Sequence, residues 1–132
     1  MVLVDANIIL RYLLNDDEEQ AKIAKQELKS GDVKILTQVV AEVIYVLSKV
    51  YKIGRKEITE NLFNVFFLDG VRVENEEVVF FAVAEYGDSN LDFVDELLYA
   101  HSRIRGESVK TFDEKLNKKI ESLKNSPASP LS

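Results

Sequence analysis

Short apolar segments that alternate with longer amphipathic ones constrain the fold of this chain most strongly. Four short segments have the composition of β-strands, at 2–4, 33–36, 71–73 and 108–111. The stretches between them carry apolar residues at the three- and four-residue spacing of helices. Strands that alternate with helices are typical of a parallel sheet. The sequence therefore predicts an α/β fold with a central parallel sheet of four or five strands, covered by helices on both faces.

The length of 132 residues suits one domain with a single core. Helices are predicted at 8–14, 18–29, 38–51, 56–68, 76–86, 92–105 and 113–123. Residues 125–132 hold two prolines and three serines. We therefore predict one domain over residues 1–124 and a flexible C-terminal tail over residues 125–132.

The composition excludes several kinds of site. The chain has no cysteine and one histidine, His101. This rules out disulfides, thiolate catalysis and sulfur-based zinc sites, and it disfavours a site built from several histidines. Any metal site must therefore consist mostly of oxygen ligands, which favours Mg²⁺, Mn²⁺ or Ca²⁺.

The charge balance and the N-terminus bear on partners and location. With 17 basic and 23 acidic side chains the net charge is −6, which disfavours a general nucleic-acid coat. A nuclease stays possible, because part of the acidic excess can be a carboxylate cluster that a metal neutralises. No apolar run approaches the roughly 18 residues of a membrane span, and no basic leader precedes Asp5. We therefore expect a cytoplasmic protein without a membrane partner.

Acidic residues follow the predicted strands and begin the predicted helices. Asp5 follows the first strand, Asp113 lies just beyond the fourth, and Glu42 lies early in the helix after the second. Asp92 and Asp95 begin the helix before the fourth strand. Because strand ends of a parallel sheet share one edge, these carboxylates can converge there. Crowded carboxylates repel one another, and a divalent cation removes the conflict and can activate water for phosphodiester cleavage.

Each of these acids also has a purely structural interpretation. Asp5 and Asp113 can equally be caps of the helices that follow them. Asp92 and Asp95 match a capping box, with Asp92 at the cap and Asp95 three positions later. The helix projection favours a site, because it places Asp95 opposite the predicted buried side, which comprises Phe93, Leu97, Ala100 and Ile104.

Glu42 is the acid that helix geometry favours most. Projection of its helix places four valines at the centre of the apolar stripe: Val39, Val43, Val46 and Val50. Glu42 then falls on the flank of that stripe, where a solvating role alone would be served as well by Lys or Gln. We therefore interpret Glu42 as a functional residue.

Four segments resemble the motifs of the PIN-domain family, in order and over most of the chain. Val-Asp-Ala-Asn at 4–7 resembles its strand-Asp-x-Asn signature. Thr-Gln-Val-Val-Ala-Glu-Val at 37–43 resembles the segment with its helical glutamate. Residues 91–100 contain an Asp-Phe-x-Asp-x-Leu stretch, and residues 110–116 a Thr-x-Asp-x-x-Leu ending. Each motif is short, and the combination is specific.

The resemblance implies a PIN-like fold and an endoribonuclease that depends on Mg²⁺ or Mn²⁺. It assigns the catalytic roles to Asp5, Glu42, Asp95 and Asp113. Of these, Asp5 and Asp95 would bind the metal. Asn7 and Thr111 would support the ligands. Asp92 can share the work of Asp95 or take its place as the third acid.

The resemblance also suggests partners. Small members of the family are often VapC-type toxins of toxin–antitoxin pairs, so an RNA substrate, a cognate antitoxin protein and a homodimer are expected. The alternative is a catalytically silent PIN-like scaffold that binds RNA or a partner protein. A phosphoacceptor receiver and a haloacid-type phosphatase both require a second acid near Asp5, which Asp-Ala-Asn lacks. A nucleotide-binding fold would require a glycine-rich loop, which is also missing.

Overall fold

A computed structural model describes residues 1–124 of the chain. The described part contains three strands and seven helices. By its internal contacts the chain divides into two compact units, residues 1–76 and residues 77 onward. The single domain over residues 1–124 stays a prediction. The predicted tail at 125–132 lies outside the described residues.

The first unit is built on a parallel sheet of the strands β1 (Val2–Leu3), β2 (Val33–Ile35) and β3 (Val71–Val73). The strand order is β1-β2-β3, so β2 lies in the middle. Val33 is opposite Val2 on one side and Val71 on the other. Parallel pairing confirms this part of the prediction, whereas cover by helices on both faces stays a prediction.

Four helices complete the first unit: α1 (Ala6–Leu14), α2 (Glu18–Leu28), α3 (Thr37–Lys49) and α4 (Arg55–Phe66). α1 packs on α2 and α3, α3 packs on α4, and α4 contacts β3. The large side chains without solvent exposure include Ile9, Leu28, Ile35, Leu47, Ile58 and Leu62. Every predicted helix of this unit is confirmed, with small differences at the ends.

The turns before β2 and β3 meet at two glycines. Gly70 has a φ of +79°, which disfavours any side chain. A Cβ at Gly70 would also overlap the backbone of Gly31. Next to this contact, the amide of Val33 donates a hydrogen bond to the carbonyl of Gly70 at 3.0 Å. The approach of the two glycines therefore belongs to the geometry that pairs β2 with β3.

The second unit has three helices, α5 (Glu76–Asp88), α6 (Phe93–Arg105) and α7 (Glu114–Lys124). α6 packs on α7. One core cluster of this unit contains Leu91, Tyr99, Leu116 and Ile120. α6 ends at Gly106, whose left-handed φ of 67° closes the last turn.

The prediction of four or five strands is wrong for the described residues, because residues 108–111 form no strand. The hydroxyl and carbonyl groups of Thr111 instead accept hydrogen bonds from residues at the start of α7. Its carbonyl accepts from the Asn117 amide at 2.9 Å, and its hydroxyl oxygen accepts from the Asp113 N–H at 3.0 Å. The segment has a strand-like composition, but its end is bound to the following helix.

Within residues 1–124, no helix combines the length and the apolar character that a membrane crossing requires.

The glycine contact gives a test of the sheet. We expect Gly70→Ala to lower the free energy of unfolding by about 2 kcal/mol or more, because the new methyl group combines an unfavourable φ with overlap of the Gly31 backbone. Gly54→Ala is the matched control, since Gly54 has a φ of −70° and no atom within 4 Å of an added Cβ. Urea denaturation measures both, and equal losses would contradict the contact.

Candidate active site

Polar groups follow all three strands of the first unit. Asp5 comes after β1, Thr37 after β2 and Glu74 directly after β3. Because the strands are parallel, their carboxyl ends share one edge of the sheet. The three strand ends of this unit therefore share an edge, whereas convergence of the predicted carboxylates there stays a prediction.

Asp5 is the N-cap of α1. Its Oδ1 accepts a hydrogen bond from the Ile8 amide at 3.0 Å, so the capping interpretation is correct. The cap uses one carboxylate oxygen, and within residues 1–124 Oδ2 accepts no hydrogen bond. Asp5 is exposed, so that oxygen is available to a ligand.

A groove of about 550 Å³ lies beside Asp5 in the first unit. Asn7 and Arg11 line it with Asp5, and apolar walls come from Ile8 and Ile23. The Arg11 Nη1 pairs with Asp16 Oδ1 at 3.0 Å, whereas the buried Arg11 Nε has no hydrogen-bond partner among the described residues. The groove therefore brings a cation next to the carboxylate of Asp5.

Glu74 is a residue whose role sequence reasoning missed. The residue before α3, Leu36, offers no side-chain cap. Glu74 caps the helix instead, because its Oε1 accepts from the Thr37 amide at 3.0 Å. Hydrogen bonds from the backbone and side chain of Thr37 lower the pKa of Glu74. The partners lie 37 residues apart, so no local pattern could show them.

Glu42 lies on α3, on the side of the helix that faces solvent. The buried residues of α3 are Val40, Val43, Ile44 and Leu47, so the predicted stripe centred on Val39, Val43, Val46 and Val50 is wrong. Glu42 is exposed together with Gln38, Tyr45 and Lys49, at the spacing of one helical face. Its placement on the flank of the apolar stripe is therefore also wrong, and its functional role now depends on the family pattern.

In the second unit, the predicted capping box is wrong. Asp92 is the N-cap residue of α6 by its backbone, but its side chain makes no capping hydrogen bond. Among the described residues, neither the Asp92 nor the Asp95 carboxylate accepts a hydrogen bond from a protein donor. Side-chain capping therefore does not account for these two acids.

Asp95 is half-buried, and its surroundings shift its pKa. Burial raises the pKa of its carboxyl group, and the negative charges of Asp113, Asp92 and Glu96 raise it further. The structure thus brings Asp92, Asp95 and Asp113 close enough for their charges to interact. A carboxylate in this position costs free energy as long as nothing neutralises it.

Asp113 is the N-cap of α7, as the structural interpretation predicts. Its Oδ1 accepts from the Leu116 amide at 2.8 Å. Thr111 holds the same turn, since its hydroxyl oxygen accepts from the Asp113 amide. Asp113 is exposed. The cap fixes the orientation of the carboxylate and occupies one of its two oxygens. The supporting role that the family resemblance implies for Thr111 stays a prediction.

Glu96, the neighbour of Asp95, is the single buried charged residue among those described, with 0% exposure. The Nζ of Lys119 lies 3.0 and 3.2 Å from its two oxygens, and Ser89 donates to it. Lys119 also lies 2.8 Å from Glu85. Burial would lower the pKa of Lys119, but hydrogen bonds to Glu85 and Glu96 outweigh that effect and raise it. The pair therefore joins α6 to α7 behind the acids.

The predicted buried side of α6 needs correction as well. Its buried residues are Phe93, Glu96, Tyr99 and Ala100, so Leu97 and Ile104 do not belong to the buried side. Ile104 is 37% exposed. Asp95 lies at the margin of the buried face. This position explains why burial acts on its carboxyl group.

The donor set fits a hard divalent cation. Asp92, Asp95 and Asp113 offer carboxylate oxygens, and the carboxylates of Asp92 and Asp95 lack protein donors. Burial and the neighbouring negative charges raise the pKa of Asp95. Among residues 1–124, however, no three acidic or histidine side chains lie together as a metal-binding group. The described residues therefore offer carboxylates without a neutralising partner, but they do not form a complete coordination shell.

Comparison with known families decides the identity of the fold. A family model for the PIN domain matches residues 2–121. The chain belongs to the PIN domain family. PIN domains are generally nucleases and typically metal-dependent hydrolases, which agrees with the acids that the structure leaves without partners. No curated protein and no solved structure gives a significant match to the chain.

The charge around Asp95 gives a test that needs neither metal nor substrate. A carboxyl whose pKa is raised by folding destabilises the folded state above that pKa, and this penalty disappears as the pH falls towards the unfolded value of about 3.9. We therefore expect Asp95→Asn to stabilise the metal-free PIN domain at pH 7, with a gain that shrinks as the pH falls.

Urea denaturation across this pH range, with chelator present, measures the effect. Glu121→Gln is the control, because Glu121 is an exposed acid of the same unit that does not act on Asp95. A gain from Asp95→Asn that does not change with pH would contradict the repulsion. So would an equal gain from the control.

Proposed function

We propose that this PIN domain is an endoribonuclease that depends on Mg²⁺ or Mn²⁺ and hydrolyses RNA phosphodiester bonds. The observation that carries the proposal is the half-buried carboxylate of Asp95, which is crowded by Asp113 and Asp92 and has no protein donor. Such an arrangement costs stability, and it becomes favourable once a divalent cation occupies it.

The proposed roles follow the family pattern. Asp5 and Asp95 bind the metal, and Glu42 and Asp113 complete the acidic set. Asn7 and Thr111 support them. Asp95 is the principal third acid because its carboxyl is the one that burial and charge perturb, and Asp92 shares its surroundings. Activation of water and stabilisation of the charge that develops on the phosphodiester are what a bound Mg²⁺ or Mn²⁺ supplies.

Helix capping is compatible with a ligand role for Asp5 and Asp113. In both residues one carboxylate oxygen accepts a backbone N–H at the start of a helix, which fixes the side chain in one orientation. The other oxygen is then held in place without the entropic cost of ordering a mobile side chain. The two caps thus support preorganised ligands.

Arg11 is the cation that the structure offers to the substrate in the first unit. It lines the same groove as Asp5, and its pairing with Asp16 holds it in position. Guanidinium groups bind phosphate well because their planar donors match its oxygens. We propose that Arg11 contacts a phosphate of the RNA next to Asp5.

The proposed biological role is that of a VapC-type toxin in the cytoplasm, with one domain over residues 1–124. Membership of the PIN domain family supports it. A homodimer and a cognate antitoxin that covers the acids are part of this proposal. A short neighbouring gene that encodes a DNA-binding protein would support the antitoxin.

The alternative is a PIN-like scaffold that binds RNA or a protein without cutting. The observation in its favour is that no three acids form a metal-binding group among the described residues. It predicts no cleavage and no measurable binding of Mn²⁺ by the native chain.

Asp5→Asn separates these functions. Asparagine caps helices as well as aspartate does, so the fold should be retained while a metal ligand is lost. We expect cleavage of single-stranded RNA with Mn²⁺ to fall about 100-fold or more, and chelator to abolish native cleavage. If the chain is a toxin, its expression arrests growth and expression of the variant does not.

Asp69→Asn is the matched control, because Asp69 is an exposed acid in a turn of the same unit. Thermal denaturation of all three proteins checks the fold. Undiminished cleavage by Asp5→Asn would contradict the proposed metal role. Absence of cleavage by the native chain on varied RNAs, together with absence of Mn²⁺ binding, would favour the scaffold.

A further inference from the structure

Phe112 is the most exposed large hydrophobic residue of the described chain, with a relative exposure of 105%. Single exposed hydrophobic residues are common on proteins and carry no meaning by themselves. The position of this one is informative, because it lies between Thr111 and Asp113, both of which belong to the proposed site. A flat apolar ring thus stands in solvent next to a proposed catalytic carboxylate.

The backbone on both sides of Phe112 is fixed by side chains. The Thr111 hydroxyl oxygen accepts from the Asp113 amide at 3.0 Å, and its carbonyl accepts from Asn117 at 2.9 Å. Asp113 in turn accepts from the Leu116 amide at 2.8 Å. A ring on such a turn loses little backbone entropy when it binds a ligand.

A pocket of about 440 Å³ lies against Phe112. Lys110, Thr111, Asn117 and Glu121 line it with the ring. Its volume lies in the range of sites for small organic groups. Phe112 and Lys110 thus offer an aromatic ring and an ammonium group at one pocket, which suit the two parts of a nucleotide, a flat base and a phosphate.

We propose that Phe112 is a stacking platform for an unpaired nucleobase of the RNA substrate. This subsite rests on the proposed nuclease function and adds to it the part of the substrate that is recognised. Consecutive Cα atoms lie about 3.8 Å apart, so a base on Phe112 belongs to a nucleotide next to the phosphodiester at Asp113.

Stacking on an open ring selects single strands. Both faces of a base in a duplex are covered by its neighbours, whereas an unpaired base can place one face on the ring. Every base has such a face, so the subsite tolerates different bases. The base at this subsite is therefore unpaired, and the subsite has little preference for its identity.

The absence of tryptophan from the sequence makes a direct binding test possible, because Phe112→Trp introduces a unique fluorophore. We combine it with Asp5→Asn in the full chain to prevent cleavage, and titrate eight-nucleotide oligomers of uridine or adenosine. Both are expected to quench the fluorescence, and an RNA duplex of equal length is expected to quench it much less.

Phe67→Trp in the same background is the matched control. Phe67 is 70% exposed, but its ring stacks on Phe63 with centroids 5.8 Å apart. It is expected to show no quenching with the same oligomers. Equal quenching in both variants would overturn the stacking platform. So would unchanged fluorescence of Phe112→Trp under conditions where the anisotropy of labelled RNA shows binding.

Cleavage kinetics give an independent readout. Phe112→Ala is expected to raise KM for single-stranded RNA roughly 5- to 100-fold with a much smaller change in kcat, as loss of one stacked base predicts. Phe112→Tyr should restore the native KM, because it keeps the ring. An unchanged KM in Phe112→Ala would overturn the proposal, and an altered oligomeric state with unchanged KM would assign the ring to a protein contact instead.

The two proposals fail in different ways. Quenching of the Phe112→Trp fluorescence by single-stranded RNA, with no cleavage by the native chain, supports the subsite and contradicts the nuclease. Cleavage that depends on Asp5, with no response at position 112, supports the nuclease and overturns the subsite.

Discussion

Parallel pairing of β2 with both of its neighbours is the interaction on which the first unit depends. It puts the ends of β1, β2 and β3 at one edge and so places Asp5, Thr37 and Glu74 there. Glu74 then caps α3, the helix that carries Glu42. The turns before β2 and β3 meet at Gly31 and Gly70, where a Cβ on Gly70 would overlap the Gly31 backbone. Sheet geometry therefore places Asp5 and Glu74 at this edge, and the local cap of α1 orients the carboxylate of Asp5.

In the second unit, folding brings acidic side chains close together, which costs free energy of folding. Burial and the charges of its neighbours raise the pKa of Asp95. Behind it, the contact of Glu96 with Lys119 fixes α6 against α7. Folding thus holds like charges near one another, and perturbed carboxylates of this kind cluster at functional sites.

The strands at 33–36 and 71–73 could be predicted from their apolar composition. All seven helices could be predicted from periodicity, because each helix buries apolar residues on one face. The strand at 108–111 could not, since composition does not show that Thr111 is bound to the start of α7. The prediction of the buried face of α3 was also wrong, because the valines at 39, 46 and 50 are as apolar as the residues of α3 that are buried. Glu74 and Glu96 depend on partners far along the chain, which local patterns do not reveal.

Calorimetry at neutral pH measures whether the chain binds Mn²⁺ through the crowded carboxylate of Asp95. We expect the native chain to bind Mn²⁺, with an affinity at least about tenfold weaker in Asp95→Asn and unchanged in Asp69→Asn. Native affinity in the Asp95→Asn variant, or no binding by the native chain, would contradict this expectation.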